Sequence, residues 1–275
     1  MITITAMGET KLFDDLPSFD RPPVVEVAVG VHFLQLPGLT AVALVRLVDD
    51  LWRSRFPRIV EQPAAPPLSA PGGVLMMAFQ LQTGIPPMRL WSLTEDETLL
   101  IQVQHDRLLL NWRKVKDDDP YPRYKRLRRD FAQVWREFCD YVGDRDYGVL
   151  QPSVAEVSFF NRVPMADAAE IPAFVEILNP EWRIGGQLAT AYQLERETTD
   201  LLPGGHQNIA LNYRPENGHM QLEISTRIDV DTATGEVSEV LDSLDTAHRI
   251  GVLTFDAVTT ESAHSAWGRH DADNS

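Results

Sequence analysis

The chain has 275 residues, and its 25 basic and 40 acidic side chains give a formal net charge of −15 at pH 7. Apolar residues make up 44% of it, which is typical of a folded protein and excludes a disordered chain. The single cysteine, Cys139, cannot form an internal disulfide, and no apolar run approaches the ~18 residues of a membrane span. Because its start lacks a basic and apolar leader, the sequence predicts a cytoplasmic protein.

The charges are unevenly distributed along the chain. Residues 1–144 carry 17 basic and 19 acidic side chains, whereas residues 145–275 carry 8 and 21. Between Arg107 and Arg129, nine basic residues stand against three acidic ones, which gives this window a net charge of +6. We therefore expect a basic patch within an acidic surface.

The first half of the chain predicts a strand, a helix, a group of strands and a second helix. Apolar residues alternate over Val24–Phe33, as in a strand with one buried face, and recur at helical spacing over Leu39–Phe56 after the N-cap candidate Thr40. A proline-rich loop follows at Gln62–Gly73. The remaining elements are an antiparallel meander at Leu75–Thr83, Arg89–Thr94, Thr98–Gln104 and Arg107–Val115, and a helix over Arg123–Tyr141.

The second half predicts a similar order of elements. Residues 152–159 (PSVAEVSF) match residues 22–29 (PPVVEVAV) at four of eight positions, and residues 211–214 (LNYR) echo residues 110–113 (LNWR) at a different offset. A diverged duplication explains both matches. The predicted elements are a short helix within Ala166–Leu178, strands near Ala189–Thr199, Gln207–Arg214 and Met220–Val230, and a helix over Val237–Val258.

These patterns predict the α+β class, with two tandem diverged units of strand, helix, antiparallel sheet and helix. Each sheet would carry its helices on one face, in a helix-grip or TATA-protein-like arrangement. The expected organisation is a mobile segment at 1–21, units at 22–148 and 149–268, and a disordered tail at 269–275.

Several segments together resemble a sporadically distributed family of uncharacterised bacterial proteins. They are residues 22–27 (PPVVEV), 101–107 (IQVQHDR), 111–114 (NWRK), 121–124 (YPRY) and the stretch from Phe255 to Trp267. The resemblance covers nearly the whole chain and implies no established activity, cofactor or catalytic residue. It implies a bacterial protein of patchy occurrence, as is found in accessory roles such as defence or toxin control.

The basic block is the main candidate binding site. Alternation along Arg107–Val115 predicts one open sheet face with Arg107, Asn111 and Arg113, whose guanidinium and amide groups suit a phosphate, a carboxylate or an acidic partner. Alternatively, these arginines pair with the chain's own carboxylates. The candidate residues are Arg107, Asn111, Arg113, Lys114, Arg123, Lys125, Arg126 and Arg129, and Trp112, Tyr121 and Tyr124 are the rings that would stack on bases.

A second candidate site depends on the repeat. Glu26 and Glu156 occupy matching positions, so a pseudo-twofold axis would bring them together, where they would share a proton or bind a cation. With Asn212 they are the possible lining of a pocket between the two sheets. The alternative interpretation is that both are independent exposed or salt-bridged carboxylates.

Other reactive residue types give no assembled site. The seven histidines show no tight metal-ligand spacing, so neither a metal nor a cofactor is predicted. His248 and Cys139 are expected in the core, and His264 near a frayed end. No catalytic residue is assigned, and whether the protein is an enzyme is left open.

Charge segregation without a catalytic motif favours a non-enzymatic binding or regulatory protein that engages a protein partner or a second copy of itself. The first alternative is an enzyme, or a protein that binds a phosphorylated metabolite or nucleotide between the sheets. The second is RNA or DNA binding through the basic strand, which the net charge of −15 disfavours. No contact with a membrane is expected.

Overall fold

The computed structural model describes residues 16–66, 88–176, 183–184, 187–188, 191–197, 205–230 and 237–271, which form an α+β protein with antiparallel sheets. The strands are β1 (Ser18–Phe19), β2 (Val24–Phe33), β3 (Arg58–Pro63), β4 (Met88–Leu93), β5 (Leu99–Gln104), β6 (Arg107–Arg113), β7 (Pro152–Pro164), β8 (Arg183–Ile184), β9 (Gln187–Leu188), β10 (Ala191–Glu197), β11 (Gly205–Arg214), β12 (His219–Asp229) and β13 (Arg269–His270). The α-helices are α1 (Ala41–Leu51), α2 (Tyr124–Asp144), α3 (Val237–Val258) and α4 (Glu261–Trp267).

The elements with strong periodicity are confirmed. Strand β2 has the predicted bounds, and α1 begins after Thr40, whose side chain accepts a hydrogen bond from the Ala43 backbone N–H at 3.4 Å. Strands β4, β5 and β6 pair as consecutive antiparallel neighbours, as the meander predicts. The predicted strand Leu75–Thr83 lies outside the described residues.

One local prediction needs correction, and a second is made more specific. The predicted loop Gln62–Gly73 begins inside β3, which pairs with β4 and ends at Pro63, a position that an edge strand tolerates because no ladder N–H is required there. The helix expected within Ala166–Leu178 is a 3₁₀ helix at Ala168–Ala173, started by a capping box between Asp167 and Glu170.

The chain forms two compact units. The central unit comprises Ala28–Val154 and Val230–Val240, and the terminal unit comprises Met1–Val27, Ala155–Asp229 and Leu241–Ser275. The chain therefore passes between the units within β2, within β7 and within α3, as well as between β12 and α3.

The central unit consists of a sheet in the order β2-β6-β5-β4-β3 together with α1 and α2. The apolar stripe of α2 is fully buried, and Phe33 at the end of β2 lies 5.3 Å from the Phe138 ring and 6.2 Å from the Trp135 ring. Helix α1 is joined to α2 by the Trp52 indole N–H, which donates to Glu137 at 3.0 Å. Burial of these large aromatic side chains fixes the helices against the sheet.

Strands β2 and β6 approach each other closely at Gly30. A Cβ atom at this position would lie 2.6 Å from the Leu108 carbonyl oxygen and 2.8 Å from the Leu109 Cα. Because both neighbours belong to the backbone of β6, neither can move aside as a flexible side chain would. Gly30 is therefore required by packing.

The terminal unit contains strands in the order β10-β11-β12-β7, with α4 and most of α3. Its core includes a cluster of aromatic rings in which Phe19 lies 5.2 Å from Phe255 and 6.4 Å from Trp267. Strand β1, which contains Phe19, pairs with β13. The two ends of the described chain are therefore held in one core.

We expect Gly30→Ala to lower the free energy of unfolding by about 1–3 kcal/mol, because the added methyl group overpacks the β2–β6 contact. Gly143→Ala is the matched control, since a Cβ there meets nothing within 4 Å and alanine is the better helix former. Urea unfolding measures both, and equal effects of the two substitutions would contradict the packing requirement.

Candidate functional site

The central sheet has one face covered by helices and one polar face. Phe33 packs against α2, so Gly30, three residues earlier in β2, belongs to the opposite face. The Leu109 side chain lies on the Gly30 side, and the pairing register places further residues with it. The polar face carries Arg89 and Trp91 of β4, Gln102 and Gln104 of β5, and Arg107, Leu109, Asn111 and Arg113 of β6.

The structure corrects the expectation that Arg107 lies open on this face. Arg107 is only 7% exposed, and its guanidinium donates to both Asp106 oxygens, at 2.9 and 3.2 Å, and to the Pro66 carbonyl at 2.7 Å. Gln104 holds the adjacent residue, Ala65, through two backbone hydrogen bonds of 2.9 and 3.2 Å. Arg107 therefore anchors the chain after β3, and its donors are bound to Asp106 and Pro66 within the chain.

Asn111 is also buried, at 2% exposure, and belongs to a chain of amide hydrogen bonds. The Gln102 side-chain N–H donates to the Asn111 oxygen at 2.9 Å, and the Gln102 oxygen accepts from the Trp91 indole at 2.9 Å and from Arg89 at 3.1 Å. Asn111 thus orients Gln102, and Gln102 orients the indole and the guanidinium. It is a positioning residue and not an open contact.

Two half-buried arginines accompany the Trp91 ring. The guanidinium carbons of Arg89 and Arg113 lie 5.4 and 6.0 Å from the ring centroid, within the range of cation–π attraction. Among the described residues, the Nε of each is buried without a hydrogen-bond acceptor, and the other donor contact of Arg113 is to the Glu97 carbonyl, at 3.4 Å. Within the described part of the chain, neither arginine forms an ion pair with a carboxylate.

The polar face has an excess of positive charge. Burial and the nearby Arg107 lower the pKa of Arg89, and the carboxylate beside them, Asp106, is already bound by Arg107. The residues that follow on from Pro66, from 67 to 87, contain no aspartate or glutamate in the sequence. The donors of Arg89 and Arg113 therefore suit an anion that the described residues do not provide.

The other basic candidates lie on a separate surface. Arg123, Lys125, Arg126 and Arg129 are exposed at the start of α2, the helix that packs on the opposite face of the central sheet, and Lys114 is exposed just after β6. Because α2 packs on the sheet face opposite Arg113, the basic block does not form one patch. We name Arg123, Lys125, Arg126 and Arg129 the basic helix start.

The basic helix start is electrostatically unfavourable for the helix. Arg123 occupies the N-cap with φ of +66° and makes no side-chain cap hydrogen bond, and the first turn contains no acidic residue. Basic side chains at this end oppose the helix dipole, and positive φ strains a residue other than glycine. One carboxylate, Asp130, lies 2.9 Å from Arg129 and 3.6 Å from Arg126, so two arginines share it.

Two of the three rings suggested for base stacking are buried. Trp112 is 4% and Tyr124 is 4% exposed, and Tyr121 packs against Trp112 with ring centroids 5.3 Å apart. Burial raises the pKa of Tyr121 well above its ordinary value. Trp112 and Tyr124 serve the core, which corrects the expectation that they stack on bases.

The candidate carboxylates occupy the terminal unit. Glu156 is buried and accepts from Ser158 at 2.9 Å and from the Arg227 Nε at 2.9 Å. Glu26 is half-buried on β2, and Asn212 is half-buried on β11. Of these two carboxylates, Glu156 is the one whose charge raises the pKa of Glu223 on β12.

The remaining reactive side chains have structural surroundings. Burial raises the pKa of the Cys139 thiol to about 12, and burial lowers the pKa of His248, packed against Phe159, to about 3. His264 is not at a frayed end: it is 6% exposed, and its Nε2 lies 2.8 Å from the Thr259 hydroxyl. These environments favour packing roles over chemistry.

No cluster of three or more His, Cys, Asp or Glu side chains in the described ranges has the geometry to hold a metal ion. Among the helices described, none combines the length and the apolar character that a membrane crossing requires.

Arg89 and Trp91 are site residues that the sequence predictions did not include. Their signal is the alternation in residues 88–93 (MRLWSL), which places both on one face of β4 and puts Leu90 and Ser92 on the other. The partner strand supplies Gln102 opposite Trp91. Register, which the sequence leaves open, brings these residues to Arg113.

Comparison with known proteins adds no family. No family model matches the chain, and a search of curated proteins finds no significant similarity.

We expect Gln102 and Asn111 to be energetically coupled. Replacing either one by alanine leaves a buried amide group of the other without its partner, which costs about 1–3 kcal/mol. In a double-mutant cycle measured by urea unfolding, the coupling energy should reach about 0.5–3 kcal/mol. Additive effects of the two substitutions would contradict the hydrogen-bond chain.

Proposed function

We propose that the protein is a binding protein that holds an anionic small ligand, of the phosphorylated metabolite or nucleotide class, on the polar face of the central sheet. The observation that carries this proposal is the pair of half-buried guanidinium groups, Arg89 and Arg113, beside Trp91 without a carboxylate partner among the described residues. A buried donor without an acceptor costs about 1–3 kcal/mol, and more when it is charged. A bound anion removes that cost.

The geometry favours a phosphate or carboxylate group over a neutral ligand. Arginine presents a planar fork of donors that matches these groups, and the Gln102 amide adds a polar neighbour. The two positive charges favour a dianion such as a phosphate monoester over a monoanion. Both guanidinium groups already lie beside the Trp91 ring, so less conformational freedom is lost when the ligand binds.

The test is a thermal-shift and calorimetric titration with inorganic phosphate, pyrophosphate and ATP. At a ligand concentration of 100 Kd, we expect stabilisation of about 2.7 kcal/mol. Arg113→Gln and Arg89→Gln should each weaken binding at least tenfold, whereas Arg126→Gln, an exposed arginine of α2, should leave it unchanged. Binding that is equal in all three variants, or the absence of any shift, would sink the proposal.

A second candidate function is recognition of an acidic protein partner by the basic helix start. It is supported by an arrangement that weakens the helix, namely basic residues and a positive-φ N-cap at the N-terminal end of α2. Features that oppose local stability are typical of functional surfaces. The opposite charge on a partner offsets the repulsion. This candidate corresponds to the arginine-rich patch that the sequence suggests.

The test is charge reversal of Arg123, Arg126 and Arg129 to glutamate. Acidic residues suit a helix N-terminus, but reversal also removes the two arginines that share Asp130, so we expect little net change in stability. The variant should nevertheless lose its partner in a pull-down from native lysate. Arg136→Glu, an exposed position further along α2, is the matched control and should keep the partner. An unchanged set of captured proteins would rule out this surface.

We also propose that the chain arose by duplication, with repeats at 22–148 and 149–268. In support, β6 lies next to β2 and β12 lies next to β7, and each is followed by a long helix, as a helix-grip or TATA-protein-like unit requires. The LNWR and LNYR echo falls on β6 and β11, which occupy different places in the strand order, so only the match between β2 and β7 supports the duplication.

An accessory role in bacterial defence or toxin control stays a prediction from the resemblance.

A further inference from the structure

Four oxygen-bearing side chains form a continuous hydrogen-bonded chain in the terminal unit. Glu223 and Ser225 belong to β12, and Ser158 and Glu156 belong to β7. The Glu223 and Ser225 oxygens are 3.0 Å apart, the two serine hydroxyls are 2.7 Å apart, and Ser158 and Glu156 are 2.9 Å apart. Both serines are buried, at 4% and 1% exposure.

The number of hydrogen atoms decides the protonation of this chain. Its three contacts need three hydrogens, but the two serine hydroxyls supply only two. If both carboxyl groups are ionised, one contact of at most 3.0 Å joins two lone pairs, which repel. One carboxyl proton completes the chain, with one glutamic acid donating to its serine and each following group donating to the next.

The neighbouring charges decide which glutamate holds the proton. The Arg227 Nε donates to the second carboxylate oxygen of Glu156 at 2.9 Å, which favours negative charge there. Glu223 is half-buried, and the negative charge of Glu156 acts on it. We infer that Glu223 is the protonated end of the chain, so that the folded terminal unit contains a proton-binding site running from Glu223 through Ser225 and Ser158 to Glu156.

The electrostatics of Glu223 agree with this assignment. Burial is the main cause that raises its pKa above the ordinary value of 4.5, and Glu156 raises it further, against lowering by Ser225 and Arg227. The register places His206 of β11 opposite Arg227. On the far side of β11, Glu197 of β10 pairs with His206 and Glu195 pairs with Asn208. No other titratable residue stands opposite the chain on β11, where Asn208 and Ala210 face Ser225 and Glu223.

A proton bound only in the folded state makes stability depend on pH. The pKa of Glu223 is raised by folding, so its stabilisation is complete below 4.5 and is lost as pH rises through the raised folded value. Each unit of pKa elevation changes the unfolding equilibrium constant tenfold. The terminal unit should therefore loosen as pH rises through this window.

The first experiment compares unfolding of the wild type, Glu223→Gln and Glu216→Gln between pH 4.5 and neutral pH. The glutamine amide always donates to Ser225, so Glu223→Gln should lose the decline in stability that the wild type shows. Glu216→Gln removes the same charge from an exposed site and should keep that decline. Equal pH dependence in all three proteins would overturn the inference.

The second experiment separates proton sharing from burial alone. In Ser158→Ala, Ser225 has no hydroxyl partner on β7 and its hydrogen is free for Glu223, so the carboxylate is stabilised. NMR titration of ¹³C-glutamate-labelled protein, with Glu223 assigned by its loss in Glu223→Gln, should show its pKa lowered from the wild-type value towards 4.5. If burial alone holds the proton, the pKa stays unchanged in Ser158→Ala, and the four-group chain is rejected.

Discussion

The packing of α2 against β2 is the constraint on which the central unit depends. Phe33, Trp135 and Phe138 commit one face of the sheet to an aromatic core, and the alternation of the strands sends every second side chain to the other face. Gly30 then brings β6 so close that Leu109 and its neighbours on that face are held in place. The polar face is therefore positioned by the apolar one.

Much of the fold could be predicted because it depends on periodicity. Strand β2, the β4–β6 meander and the apolar stripe of α2 each have a repeat of two or of 3.6 residues that burial dictates. Strand β3 was missed because its six residues end at a proline and contain too few apolar positions to show alternation. The short helix predicted within Ala166–Leu178 is present as a 3₁₀ helix at Ala168–Ala173, a distinction that apolar spacing over so few residues does not make.

The candidate site was harder to predict because it depends on distances across strands. The run of basic residues from Arg107 to Arg129 suggested one surface, but the turn between β6 and α2 separates its members onto opposite faces. Arg107 looked available because the sequence does not show that Pro66 and Asp106 occupy its donors. The roles of Trp91 and Glu223 depend on cross-strand contacts that the sequence does not show. Trp91 donates to Gln102 of the next strand, and Glu223 is linked through Ser225 to Ser158 of β7.

The pairing of β1 with β13 has a consequence for how the protein is made. Phe19 and Trp267 share a core, and Asp256 receives two hydrogen bonds from Arg269, so the terminal unit needs residues from both ends of the described chain. During synthesis the N-terminal strand emerges first and must wait for Arg269 before it can pair. Most residues of the central unit are therefore synthesised while β1 is still unpaired. During that interval β1 is an exposed strand, which a chaperone would protect from aggregation.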